Sequence, residues 1–168
     1  MKKSNTLCLA IFLILTSYGM LSLAQKNGNA SYNFDIQCMG TGMDGTQLVK
    51  VWGFGKNPNV AIEQAKKNAV YAVIFKGITT GEPGCMNRPL LTASGSEQQF
   101  GDYFNAFFAD GGKYLDYVNI SSDGSIDPND RIKVGRQYNM GVIVSVSHTQ
   151  LRKDLETAGI VKKLTDGF

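Results

Sequence analysis

The sequence predicts an α+β fold: one domain in which an antiparallel sheet carries an alanine-striped helix across one face, with a second, aromatic helix. Three observations lead there. Tyr138, Met140, Val142, Val144 and Val146 alternate with Asn139, Gly141, Ser145 and Ser147, the period-two pattern of a strand with one buried face. Tyr32, Phe34, Ile36 and Cys38 alternate in the same way with Asn33, Asp35 and Gln37. Ala61, Ala65, Ala69 and Ala72 recur at spacings of four, four and three, a narrow stripe of small side chains that lets a helix backbone approach a sheet closely.

In chain order, the first strand meets a glycine-rich turn at residues 40–45. Residues 48–54 then return as the second strand of a hairpin. Gly53-Phe54-Gly55 reads as a pliable connection. Asn57 is placed to cap the next helix, with Pro58 at its first position. That helix is apolar nearly all round over residues 70–75, so its C-terminal half is expected to be buried, and Gly77 stops it. Residues 78–95, rich in Gly, Pro, Thr and Ser, read as a loop.

Ser96 and Gln99 have capping-box spacing ahead of a second helix. On it, Phe100, Tyr103, Phe104, Phe107 and Phe108 form a broad aromatic face that spans two adjacent stripes. Part of that face is expected to stay accessible; the other reading is that all five are core. A strand is expected near residues 114–120 and a polar loop over 121–130. After the strand at 138–146, Ser147 and Gln150 suggest another capping box for a short helix that turns Leu151, Leu155 and Ala158 inward. Residues 78–112 form a loop-plus-helix insertion in this scheme, and residues 159–168 a loosely held tail.

Lys2 and Lys3 precede an unbroken apolar run at residues 7–15, and Ser22-Leu23-Ala24 offers small residues where signal peptidase reads. The expectation is a cleaved signal peptide at residues 1–24, an exported chain starting at Gln25, and residence in a bacterial periplasm or cell envelope. The competing reading is a membrane anchor. A spanning helix needs about 20 apolar residues, and Thr16 and Ser17 interrupt this run. The chain has 17 bases and 14 acids; losing Lys2 and Lys3 leaves 15 and 14, a net charge near +1. So small an excess offers no cationic stripe for phosphates, which speaks against a nucleic-acid partner. The expected partner is another envelope protein.

Cys38 and Cys85 survive cleavage. In an oxidising compartment they suggest one disulfide, which would stabilise by roughly 3–4 kcal/mol; the other reading is two separate buried thiols. The Gly40-Thr41-Gly42-Met43-Asp44-Gly45 run matches a dinucleotide fingerprint by letter, but a strand follows it rather than a helix. A hairpin turn needing positive φ accounts for it, and no cofactor is expected. Asp123, Asp127, Asn129 and Asp130 could offer oxygens to calcium, yet the spacing is not that of an EF-hand and the closing Glu is missing. A solvated acidic turn is the expectation, and no metal is assigned. His148 is the only histidine and stands beside a helix start, and no HExxH or GxSxG occurs. No catalytic residue is assigned and the chain is read as a non-enzyme.

The stretch from Val51 to Ala72 joins a strand, a Gly-x-Gly turn and an alanine-rich helix. Together with residues 138–146 and the helix containing Leu151 and Leu155, it resembles the LPP-type envelope lipoproteins and the amino-terminal domain of the flagellar assembly protein FlgT. The likeness covers about half of the mature chain. A lipidation cysteine is absent, and residues 78–112 have no place in the pattern. The resemblance implies an envelope-associated, non-catalytic module that packs against partners, and it transfers no catalytic residue. The preferred function is an interaction or assembly role, with Trp52, Phe100, Tyr103, Phe104, Phe107 and Phe108 as the candidate surface. The alternative is a small-ligand or glycan-binding module with Trp52, Tyr103 or Phe107 lining a cleft; a hydrolase with an unrecognised carboxylate pair is third.

Overall fold

Two long strands form the centre of the sheet because their alternation is nearly uninterrupted. β2 (Thr46–Gly55) buries Gln47, Val49, Val51, Gly53 and Gly55, and β5 (Gln137–Ser147) buries Met140, Val142, Val144 and Val146. They pair antiparallel along their whole length, with Val49 opposite Val144 and Val51 opposite Val142. β1 (Ile36–Thr41) flanks β2 and β3 (Val118–Ile120) flanks β5 in the order β1-β2-β5-β3. β4 (Arg131–Val134) also pairs β5, through a tight hairpin at Gly135 and Arg136. This computed structural model describes residues 34–121 and 126–163. The signal-peptide reading, Tyr32, Asn33, Asp123 and the end of the tail lie outside the described residues.

α1 (Pro58–Tyr71) starts as its sequence dictates. Asn57 Oδ1 accepts the Val60 amide at 3.0 Å and Pro58 occupies the first turn. Ala61, Ala65, Ala69 and Ala72 are fully buried. The sheet beneath is equally bare. A Cβ on Gly53 would stand 2.8 Å from Ala65 Cα, and one on Gly55 2.9 Å from Ala61 Cα. These glycines therefore serve close backbone approach, and the pliable-connection reading of Gly53-Phe54-Gly55 is corrected. Buried Asn68 spans the same seam, donating to Trp52 O at 2.8 Å and accepting from Gln64 at 2.9 Å.

The helix then widens into a π turn, Ala72–Lys76, and ends at Gly77 with φ 76°. The widening redirects the Val73 and Ile74 carbonyls, which accept the Leu90 and Leu91 amides at 3.1 and 2.9 Å. Residues 80–85 run along β1: Cys38 N donates to Thr80 O at 2.8 Å and Glu82 N to Cys38 O at 2.9 Å. The Cys38–Cys85 disulfide fastens this strap.

Neither expected capping box forms. Gly95, not Ser96, caps α2 (Ser96–Gln99), and the Ser96 hydroxyl donates to Ala93 O at 2.7 Å. The aromatic helix breaks at Phe100 (φ −107°, ψ 28°) and resumes as α3 (Gly101–Phe107). Ser147 makes no side-chain cap on α4 (His148–Thr157), and Gln150 donates instead to Asp154 at 3.0 Å. Of the strand expected near 114–120 only β3 is extended; Lys113–Tyr117 is a 3-10 helix that turns Tyr114 and Tyr117 into the core. Ile160 and Val161 are buried, with both amides bonded to Leu155 O. That corrects the start of the loosely held tail. β4 was absent from the sequence reading because all four of its residues are exposed and no burial period marks it.

Candidate functional site

The long helix α1 lies against the face that Val49, Val51, Val142 and Val144 present, while a short 3-10 turn, Pro128–Asp130, touches the opposite face at Gly141. The aromatic residues belong to the α1 layer. Phe104 and Phe107 are 5% and 3% exposed, while Phe100, Tyr103 and Phe108 are half-buried and packed on the core. Phe104 meets Phe75 edge-on at 4.8 Å, and Phe107 stacks between Tyr103 and Tyr117 at 5.8 Å on each side. Phe108 stacks on Tyr114 at 6.1 Å. The second aromatic stripe is thus covered by tyrosines from the following 3-10 helix, so Phe104 and Phe107 hold the core rather than a free surface. Sequence periodicity could not show this, because the covering residues come from another segment.

Lys67 closes the rim of this layer, paired with Asp110 at 2.7 Å and lying 5.4 Å from the Tyr114 ring centre. Tyr117 donates to Asp154 at 2.6 Å and Tyr114 to Glu63 at 3.3 Å. Burial, reinforced by these carboxylates, raises both phenols above their ordinary range, Tyr114 to about 12. Tyr103 is raised as well, by burial and then by the Asp154 charge. The Tyr117 hydrogen bond in turn lowers Asp154. Burial, then the Arg152 charge, lowers His148, and among the described residues it makes no hydrogen bond to a hydroxyl, thiol or carboxylate.

Trp52 stands apart from the other candidates. It alternates out of β2 onto the opposite face of the sheet, together with Leu48, Lys50 and Phe54. Its indole covers Gly141, where a Cβ would lie 3.0 Å from the ring. Lys50 lies 5.7 Å from the ring centre and pairs with Asp130 at 2.7 Å. The acidic loop is accordingly structural at two points: Asp130 joins the sheet through Lys50, and Asp127 accepts the Asn129 amide at 2.8 Å. Among the described residues no three His, Cys, Asp or Glu side chains converge as a metal-ligand set.

Beyond Trp52 the open face turns apolar and exposed. Phe54, Asn139 and Ile132 form one row across three strands, set by the pairing of Phe54 with Asn139 and of Ile132 with Asn139. Phe54 is 46%, Ile132 44% and Val134 55% exposed. The Asn139 Oδ1 between them is shielded and finds no hydrogen-bond donor among the described residues. Sequence reasoning missed Phe54, Ile132 and Val134. The usable signal was Ile132-x-Val134, then Gly135 and Arg136, then Tyr138-x-Met140, two alternating runs across a two-residue turn.

A cleft of about 520 Å³ lies on the helical side, lined by Tyr71, Phe75, Lys76, Leu91 and Glu97 among others. None of Trp52, Tyr103 and Phe107 lines it. Two of its polar groups are engaged with each other, since the Tyr71 hydroxyl donates to Glu97 at 2.9 Å. No described helix is long and apolar enough to cross a membrane. Comparison of the chain with protein-family models, curated proteins and solved structures finds no match.

Proposed function

We propose that this chain is an exported, non-catalytic protein with an interaction or assembly role in the bacterial cell envelope, and that it docks a partner protein on the open face of its sheet. The observation that carries the reading is the asymmetry of the sheet. One face is sealed by helices and aromatics, whereas the other leaves Phe54, Ile132 and Val134 in solvent beyond Trp52. Apolar side chains clustered on an exposed surface are the usual mark of a contact site, and a half-buried tryptophan at the end of the patch is a typical anchor. Arg131 and Lys133 alternate with Ile132 and Val134 along the edge strand, exposed on its other face, so the fitting partner carries apolar residues for the patch and acidic ones at the strand edge.

The Lys2–Lys3 start, the apolar run at 7–15 and the small residues before Gln25 support export, and the Cys38–Cys85 disulfide suits an oxidising compartment. Ligand binding in the Tyr71–Glu97 cleft is the second reading; it is weaker because the cleft's tyrosine and carboxylate already satisfy each other.

Photo-crosslinking in the native envelope tests the proposal. A crosslinking residue at Phe54 or Ile132 is expected to capture one discrete partner, and one at Lys153, exposed on α4, is not. Equal capture from all three positions, or capture from none, overturns it.

A further inference from the structure

The hairpin that borders the open face has an edge of defined chemistry. β5 carries β3 along residues 144–146 and β4 along 137–140, both on the same flank. Among the described residues β4 pairs with β5 alone. The two-residue turn makes Val134 and Gln137 the closing pair, so these two exchange hydrogen bonds. Antiparallel alternation then sends the N–H and C=O of Ile132 toward β5 and those of Arg131 and Lys133 outward. Side chains alternate as well. Ile132 and Val134 lie on the open face, Arg131 and Lys133 on the other, and all four are exposed.

We propose that the outer edge of β4 receives an extended segment of the partner, in which acidic residues alternate with apolar ones, as an added strand. The proposal rests on the reading of the open face given above and names the partner's chemistry. Strand addition draws affinity from main-chain hydrogen bonds and specificity from alternate side chains. Here the outward amides belong to the two cations, so every hydrogen-bonded cross-strand pair sets an incoming residue directly opposite Arg131 or Lys133. Opposite charges in that position stabilise, and like charges oppose pairing. The incoming residues between them fall on the open face beside Ile132 and Val134 and extend the apolar patch that begins at Phe54.

The same charges decide against a second copy as the occupant. Any in-phase pairing of β4 with itself places cation opposite cation, the device by which edge strands avoid self-association. An acidic–apolar strand from another protein meets no such penalty.

A labelled peptide of about eight residues, the length of an ordinary strand, alternating Glu and Val, is titrated into the chain recovered from an export-competent host. Amide exchange is followed in the complex. The expected result is saturable binding that slows exchange at the Lys133 amide and leaves the already bonded Val134 amide unchanged. Lys133→Glu with Arg131→Glu is expected to weaken binding roughly tenfold and to reverse the preference toward a Lys/Val peptide. Equal binding of the Glu/Val and Lys/Val peptides overturns the proposal, as does an unprotected Lys133 amide at saturation. The same protection produced by phosphatidylglycerol vesicles overturns it in favour of a lipid surface. A partner crosslinked at Phe54 while the Lys133 amide stays unprotected overturns strand addition alone and leaves the docking face standing.

Discussion

Gly53 and Ala65 meet backbone to backbone: the glycine's missing Cβ is the space that the Ala65 backbone occupies. Gly55 meets Ala61 in the same way, so the helix and sheet backbones touch at two successive turns of the alanine stripe.

Substitutions at that seam should therefore be costly from either side. Gly53→Ala and Ala65→Leu are each expected to lose at least about 1–3 kcal/mol, since neither backbone can retreat without disturbing the sheet. Lys153→Leu, at an exposed position of α4, should stay within roughly 0.5 kcal/mol. Denaturant titrations of the three variants measure this, and equal losses would mean that the close contact is not what limits packing.

The disulfide should act through the strap at β1. Its partners are 47 residues apart, so reduction is expected to cost about 3–4 kcal/mol by the loop-entropy argument. Exchange should quicken first at the Cys38 and Glu82 amides, which the strap engages. Intact mass of the exported chain should correspond to a start at Gln25 and lie two mass units below the fully reduced value. Free thiols in that material would remove the bridge from the native protein.

Within the aromatic layer the ranking follows burial. Phe104→Ala and Phe107→Ala should each cost about 3–5 kcal/mol, while Phe100→Ser and Tyr103→Ser, at half-buried sites, should cost distinctly less. Thermal melts of single variants give the order. Uniform losses across all four would show that the half-buried positions are as closely packed as the two phenylalanines.

Alkaline pH should unfold the protein through its tyrosines. Tyr114 is raised to about 12 and Tyr117 is raised as well, both above the ordinary value of 10.0 that holds in the unfolded chain. Between those values the folded state holds more protons than the unfolded one. Their stabilising effect is thus complete below pH 10 and is lost as pH climbs toward the folded values. Stability measured from pH 8 upward should be flat and then fall, and Tyr117→Phe should make the fall shallower. An unchanged slope in that variant would separate Tyr117 from the effect.

Local pattern determined a good deal of this protein. The alternation in β2 and β5, the alanine stripe, the Asn57–Pro58 start and the Gly77 stop were all legible, because each reports which face of one element is buried or how one chain reversal is made. Cys38 and Cys85 were legible as a pair but not as a bond. Only the tertiary structure decided what covers each face. Tyr114 and Tyr117 close over Phe107 and Phe108 from a segment whose own pattern suggested a strand, and the Phe100 break lets the aromatic helix follow the core. Ser96 and Ser147 had capping-box spacing, yet neighbouring carbonyls and carboxylates drew their segments into other bonds. The open side of the sheet, with Trp52, Phe54 and Ile132, was hidden for the same reason. A strand's alternation says that one face is buried, and long-range packing alone determines whether anything covers the other.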